Sequence, residues 1–124
     1  MSPFTELVDR YIEAWNEADA GRRRDLIART WTETATYLDP LMESEGHIGI
    51  DAMIQGVQER FPGHRFRRTS DVDSHRDRIR FSWALGPDGG EALVDGTDFG
   101  VVAADGRLQT VTGFLDHAPA APSR

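Results

Sequence analysis

Apolar residues in the first half of the chain recur at the three- and four-residue spacing of helices that bury one face. The pattern predicts a first helix that starts near Ser2 and Pro3, a pair suited to an N-cap and a first helical position. A second, shorter helix is predicted to bury Leu26, Ile27 and Trp31, and a third ends at a proline. The stripes of the first and third helices are Phe4, Leu7, Val8, Tyr11, Ile12 and Trp15, and Ile50, Met53, Ile54, Val57 and Phe61.

In the second half, alternating apolar and polar residues replace the helical spacing and predict strands. The alternation is clearest at Ile79, Phe81, Trp83 and Leu85. A hairpin turn is predicted at the Asp105-Gly106 pair. The predicted extended segments are 35–40, 66–74, 79–85, 92–103 and 108–115, with a loop at 43–46 and a turn at 86–90.

Helices followed by hairpin-connected strands predict one α+β domain. Three helices from the N-terminal half are expected to pack in the concave face of a curved, mostly antiparallel sheet, with room for a ligand at the mouth. The domain is predicted to span residues 1–117, followed by a flexible Ala/Pro-rich tail at 118–124. No apolar run approaches the ~20 residues of a membrane span, and no signal peptide is recognisable, so a cytoplasmic protein without membrane contact is expected.

The composition excludes several kinds of chemistry. The chain has no cysteine and all fourteen basic residues are arginine, which excludes thiol nucleophiles, thiolate metal sites and lysine Schiff bases. A formal net charge of −7 argues against nucleic acid as a partner, and the Arg22–Arg23–Arg24 run is predicted to lie on a solvated face. The four histidines lack metal-ligand spacing and no cofactor motif occurs, so neither a metal nor a cofactor is expected.

The order and spacing of several short motifs, across roughly residues 4–116, resemble a known superfamily. The chain is similar to nuclear transport factor 2-like proteins in the SnoaL-like branch, whose members include polyketide cyclases, ketosteroid isomerases, epoxide hydrolases and non-catalytic binding domains. The resemblance implies a cystatin-like, cone-shaped fold and a homodimer formed through the outer face of the sheet. The motifs are Tyr11–Asn16, Ala35–Pro40, Gly46–Ile50, Gly96–Asp98, Asp105–Arg107 and Gly113–Phe114.

The ketosteroid isomerases offer the sharpest comparison for the site. By position, the resemblance implies Asp39 as the general base, with Tyr11 and a neutral Asp98 hydrogen-bonding the developing enolate oxygen; this enzyme is a worked example of tuned pKa values. Asp98 alternates with apolar strand residues, so burial is expected to raise its pKa. Asp39 also fits an ordinary turn before Pro40, and Tyr11 also fits an ordinary core position.

The expected ligand is a small apolar or oxygenated ring compound. Aromatic and histidine side chains are the candidates to contact it, although the tryptophans also fit a core and the histidines exposed loops. The candidate substrate-binding residues are Trp15, Trp31, His47, His75, Trp83 and Phe114.

Three functions remain open from the sequence. The first is cofactor-free isomerisation, cyclisation or dehydration next to a carbonyl group. The second is a non-catalytic dimeric ligand-binding or scaffold domain, in which side chains fill the pocket or arginines pair with its carboxylates. The third is water activation by an Asp–Arg pair, as in the epoxide hydrolases, and it requires Arg80 to reach Asp98 across neighbouring strands.

Overall fold

The computed structural model describes residues 2–118 and contains three helices and seven strands. The predicted α+β class is confirmed, and residues 119–124 of the predicted flexible tail lie outside the described residues. The elements are α1 (Thr5–Asn16), α2 (Ala20–Thr30), β1 (Trp31–Leu38), β2 (Glu43–Glu45), α3 (Gly46–Arg60), β3 (His64–Arg68), β4 (Asp73–His75), β5 (Arg78–Pro87), β6 (Val94–Val102) and β7 (Leu108–His117).

The first helix begins later than the Ser2–Pro3 pair suggested. Thr5 is its first residue, and Ser2 closes the turn before it, where its Oγ accepts a hydrogen bond from the Phe4 backbone N–H at 3.1 Å. The predicted stripe is otherwise the buried face, and Tyr11 and Trp15 at its C-terminal end are 2% and 5% exposed. The helix therefore carries two aromatic side chains into the interior of the cone.

Two predictions for the second helix are wrong. Trp31 is fully buried, but it is the first residue of β1, because the helix ends one residue earlier. The arginine run does not lie wholly on a solvated face, since Arg23 is only 2% exposed. Its Nε donates to Asp51 Oδ1 at 2.6 Å and its Nη1 to the Glu17 carbonyl oxygen at 3.0 Å, so its charge is paired across α2 and α3.

The strands form one sheet in the order β2-β1-β7-β6-β5-β3, with β4 pairing β5 at the same edge as β3. Within residues 2–118, β1 and β7 are the one parallel pair, and the other pairs are antiparallel. The predicted loop at 43–46 is instead the short strand β2 followed by the start of α3, and the predicted strand 66–74 splits into β3 and β4.

The hydrophobic core lies between the helices and one face of the sheet. The alternation in β5 is confirmed, because Ile79, Phe81 and Trp83 all point into the core. The opposite face is polar with scattered apolar residues, including Phe99 and Phe114. No helix within residues 2–118 is long and apolar enough to cross a membrane.

Candidate functional site

A cavity of about 670 Å³ opens between α1, the C-terminal end of α3 and the inner face of the sheet. Its volume is in the range of pockets that hold drug-sized ligands. Most of the lining is apolar or aromatic, and the polar groups are few. The lining residues are Tyr11, Ile12, Trp15, Tyr37, Asp39, Leu41, Met42, Val57, Arg60, Phe61, Phe66, Trp83, Leu85, Val94, Asp98, Leu115 and Ala118.

Asp98 is the buried carboxyl group of this cavity. It lies on β6 and is 3% exposed. Tyr11 Oη donates to its Oδ2 at 2.6 Å, and Trp83 Nε1 donates to its Oδ1 at 2.9 Å. Burial raises the pKa of Asp98 to about 6, while these two hydrogen bonds act in the opposite direction. The result is a carboxyl group that changes its charge near neutral pH.

The pKa values of the two tyrosines in the lining are also raised. For Tyr11 the first cause is burial and the second is the negative charge of Asp98. For Tyr37 burial is again the first cause, followed by the charges of Asp98 and Asp39. Both hydroxyl groups are therefore neutral hydrogen-bond donors at physiological pH.

Asp39 lies just after β1 and is held by three donors. Its Oδ2 accepts from Tyr37 Oη at 2.7 Å, and its Oδ1 accepts from the backbone N–H groups of Leu41 and Met42 at 2.8 and 2.9 Å. The predicted turn at Asp39-Pro40 is thus present, and the same carboxylate that closes it also orients a tyrosine in the cavity.

Gly113 on β7 is the point where these groups meet. A β-carbon on Gly113 would lie 2.9 Å from Asp98 Oδ1, 3.3 Å from Asp39 Cβ and 3.4 Å from Tyr37 Oη. The absence of a side chain there leaves the space between the two carboxyl groups open. The predicted constellation of Tyr11, Asp39 and Asp98 is therefore brought together in one cavity, and Tyr37 joins it.

The candidate substrate-binding residues divide into two groups. Trp15 and Trp83 line the cavity. The other four do not line it. They lie in the core, at the start of a helix or on the exposed side of the sheet. Trp31 is fully buried behind Tyr11, and His47 Nε2 bonds to the Trp31 carbonyl oxygen at 2.8 Å. His75 is exposed at the end of β4, and Phe114 is 58% exposed on the outer face.

The Asp–Arg pair required for water activation does not form. In the register of β5 and β6, Asp98 lies opposite Phe81, whereas Arg80 lies opposite Phe99. Adjacent residues of a strand point to opposite faces, so Arg80 points away from the cavity. Its Nη2 pairs with Asp73 Oδ2 at 2.5 Å, and its side chain is 66% exposed. This observation removes the hydrolase alternative.

Sequence reasoning missed two polar residues of the cavity, Tyr37 and Arg60. Tyr37 stands two residues before Asp39 in the Ala35–Pro40 motif, and the period of two in β1 was a signal that both share one face. Arg60 stands between Val57 and Phe61 of the apolar stripe of α3 and has the pattern of an ordinary exposed arginine, so nothing in the sequence marked it as a cavity residue. Within residues 2–118, no three acidic or histidine side chains cluster in a way that would hold a metal ion.

Asp98 leads to a stability prediction that needs no ligand. Its pKa of about 6 in the folded chain exceeds the ordinary 3.8, so its contribution to stability is complete below pH 3.8 and is lost as the pH rises through about 6. A difference of two pKa units corresponds to roughly 3 kcal/mol. Asparagine does not titrate. As the pH rises from 3.8 to about 6, we therefore expect the free energy of unfolding of Asp98→Asn to increase relative to that of the wild type. Above this range the difference between the two proteins should stay constant. Urea unfolding of both proteins across this range measures this, and a pH-independent difference would contradict it.

The comparisons with known proteins agree with the fold. The family profile of the SnoaL-like domain matches residues 8–111. A SnoaL-like family protein from Agrobacterium tumefaciens, provisionally described as an isomerase, is 41% identical; the match covers 94% of this chain and 100% of that one, with a TM-score of 0.90. No protein of curated function matches the sequence significantly.

More distant structures share the fold alone. A Sinorhizobium meliloti protein, provisionally described as a polyketide cyclase, is 15% identical over 87% of this chain and 93% of its own, with a TM-score of 0.68. A Nostoc punctiforme protein of unknown function with a cystatin-like fold is 12% identical over 96% of this chain and 91% of its own, with a TM-score of 0.72. The cone-shaped architecture thus recurs at very low sequence identity.

Proposed function

Since the chain belongs to the SnoaL-like family, we propose that it is a cofactor-free acid–base enzyme that moves a proton at a carbon next to a carbonyl group. Isomerisation, intramolecular aldol cyclisation and dehydration are the reactions of this class. The isomerase and cyclase descriptions of the Agrobacterium and Sinorhizobium proteins support the class. The observation that carries the proposal is the buried Asp98, whose pKa of about 6 suits proton transfer near neutral pH.

We assign Asp98 as the general base that accepts the proton from the substrate carbon. A general base works best when its pKa is close to the pH of the reaction, because it is then ionised and still basic. Tyr11 and Trp83 each donate to one of its oxygens, which keeps the carboxylate in one orientation and leaves a lone pair on each oxygen. Tyr11 is thus a positioning residue in this proposal, rather than a donor to the substrate.

Tyr37 is the donor that we assign to the carbonyl oxygen of the substrate. It is next to Asp98 across Gly113, and its hydroxyl stays neutral. The Tyr37 hydroxyl donates its hydrogen bond to Asp39 Oδ2, so it would turn from Asp39 to a bound substrate. Asp39 itself already accepts three hydrogen bonds, which engage its carboxylate in the turn and on Tyr37.

The test uses cyclic β,γ-unsaturated ketones of one to four rings, whose conversion to conjugated enones is followed by ultraviolet absorbance. For ketones without the double bond, exchange of the α-protons in D₂O is followed by NMR. With Asp98 as the base, we expect kcat/KM to fall as the pH drops below about 6 and to level off above it, because only the ionised form accepts a proton.

A pH profile of kcat/KM with the opposite slope would identify Asp39, and not Asp98, as the base. If kcat/KM falls as the pH rises above about 6, the neutral form of Asp98 is the active one, and Asp39 is the base as the isomerase resemblance implies. If no ketone in the set reacts or exchanges faster than in buffer, the proposed reaction class is contradicted.

The binding-only alternative has less support. It predicts a filled pocket or arginines on the carboxylates, whereas the cavity is open and no arginine within residues 2–118 pairs with Asp39 or Asp98. The homodimer stays a prediction, with the exposed Phe99 and Phe114 on the outer sheet face as its candidate contacts. Sedimentation equilibrium would test it directly.

A further inference from the structure

The cavity has one cationic side chain, and its position bears on the kind of substrate that fits. Among the arginines of residues 2–118, Arg60 alone lines the cavity. It is the last residue of α3, and it is exposed to solvent. Asp98 is buried on the sheet, so the cation and the assigned base belong to different walls of the same cavity.

Several arginines of residues 2–118 take part in ion pairs of the fold, whereas Arg60 does not. Arg23, Arg68 and Arg107 each pair with a carboxylate that belongs to another element. Arg60 makes no ion pair and no side-chain hydrogen bond within the part of the chain that is described. Its five N–H donors are therefore available to a ligand.

We propose that Arg60 binds a carboxylate group of the substrate. The substrate would then be a ring ketone or enone whose carboxylate lies at the end away from the reacting carbonyl. The inference rests on the proposed function, since it takes the Asp98 wall as the place where the carbonyl group reacts. A planar guanidinium binds a carboxylate through two parallel hydrogen bonds, which fixes the orientation of the ligand as well as attracting it.

The charges around the cavity mean that binding of an anionic ligand would depend on the positive charge of Arg60. The chain has a net charge of −7, and Asp39 and Asp98 both line the cavity, so an anionic ligand is repelled unless a local positive charge compensates. Leu41, Met42 and Val57 line the cavity together with Arg60. Leu41 is 78% exposed and Arg60 is exposed, so a guanidinium–carboxylate contact there is partly solvated.

There is also room for the anionic end of a ligand. A shallower depression next to the cavity shares Leu41, Met42, Val57 and Arg60 with it and continues along α3. It is also lined by the acidic Glu43, so Arg60 is the group of positive charge that an anionic substituent would meet there. Gly56 lies in this depression, and apart from its own stretch of helix nothing lies within 4 Å of the position that a β-carbon on it would occupy. A substituent that leaves the cavity beside Arg60 therefore meets open space.

The test measures binding and does not depend on turnover. The probes are 6-hydroxy-2-naphthoate and its uncharged methyl ester, whose phenol can hydrogen-bond at the Asp98 wall, and their Kd values are measured by fluorescence titration. We expect the wild type to bind the carboxylate about tenfold more tightly than the ester, the order expected of a partly solvated charged hydrogen bond. Arg60→Gln should remove this preference, Arg60→Lys should keep part of it, and high salt should reduce it.

Arg65→Gln is the matched control, because Arg65 is an exposed arginine on β3 outside the cavity lining and the substitution changes the net charge equally. It should keep the preference for the carboxylate. A role of Arg60 only at the helix dipole would change the stability of the fold and leave the preference unchanged. Equal binding of both probes by the wild type, or an Arg60→Gln protein that retains the preference, would overturn the inference and leave the proposed function standing. Absence of binding of both probes would overturn it together with the assignment of the cavity as the reaction site.

Discussion

Asp98→Asn is expected to lower kcat/KM for the reactive ketone by about 10²–10⁴-fold, the range that a general acid–base group contributes. Asparagine has nearly the same shape, but its amide has no basic lone pair at neutral pH and accepts no proton from carbon. Its oxygen still accepts from Tyr11 or from Trp83, so the fold is retained. The rates of wild type and variant with the same ketone measure the effect, and an unchanged circular dichroism spectrum excludes unfolding as its cause.

Asp95→Asn is the matched control for this substitution. Asp95 is on the same strand, but its Oδ1 pairs with His117 at 2.9 Å and it is not part of the cavity lining. We expect its activity to stay within about twofold of the wild type, because surface changes away from a site have small effects. A similar loss in both variants, or full activity of Asp98→Asn, would remove Asp98 from the mechanism.

Gly96→Ala is expected to destabilise the fold by about 3 kcal/mol, at the upper end of the cost of overpacking a core. A β-carbon at this position would overlap the Phe114 carbonyl oxygen and would lie 2.7 Å from Trp83 Cζ2. The carbonyl belongs to the paired strand β7, so neither neighbour can move freely. Any relief moves the indole of Trp83, whose Nε1 donates to Asp98, so we expect activity to fall together with stability.

Gly56→Ala supplies the opposite control. Gly56 is inside α3, and apart from its own stretch of helix no atom lies within 4 Å of its added β-carbon. Alanine is the better helix residue by about 0.5–1 kcal/mol, so this variant should unfold at a higher urea concentration than the wild type. Equal midpoints for Gly96→Ala and the wild type would contradict the close approach of Trp83 to the β6 backbone.

The fold follows from the sequence because its periodic segments are long and few. The stripe of α1 and the alternation of β5 each place a whole face against the core, and no other assignment buries so much apolar surface. Boundaries were less accurate, since Trp31 continues the four-residue spacing from Ile27 of α2 and yet begins β1. The burial of Arg23 depends on Asp51 of α3, 28 positions away, and no local pattern reveals such a partner.

The site was predictable to a lesser degree, for a physical reason. Tyr11, Asp39 and Asp98 stood out because each polar group interrupts an apolar pattern or repeats a family motif. The distances between them depend on strand register, which a single sequence does not encode locally. The register also separates Arg80 from Asp98 and makes Tyr37 a neighbour of Gly113. His47 and His75 were candidates by residue type alone, and type does not determine which wall of the cone a residue reaches.

The parallel pairing of β1 with β7 has a consequence for protein synthesis. Tyr37 and Asp39 leave the ribosome long before Gly113, yet β1 gains its central neighbour only when β7 is complete. The nascent chain thus holds β1 without that partner until β7 has been made, and pairings of such sequence separation form slowly. We conclude that the site appears only after β7 has been synthesised, and that a chain lacking β7 has no partly working form.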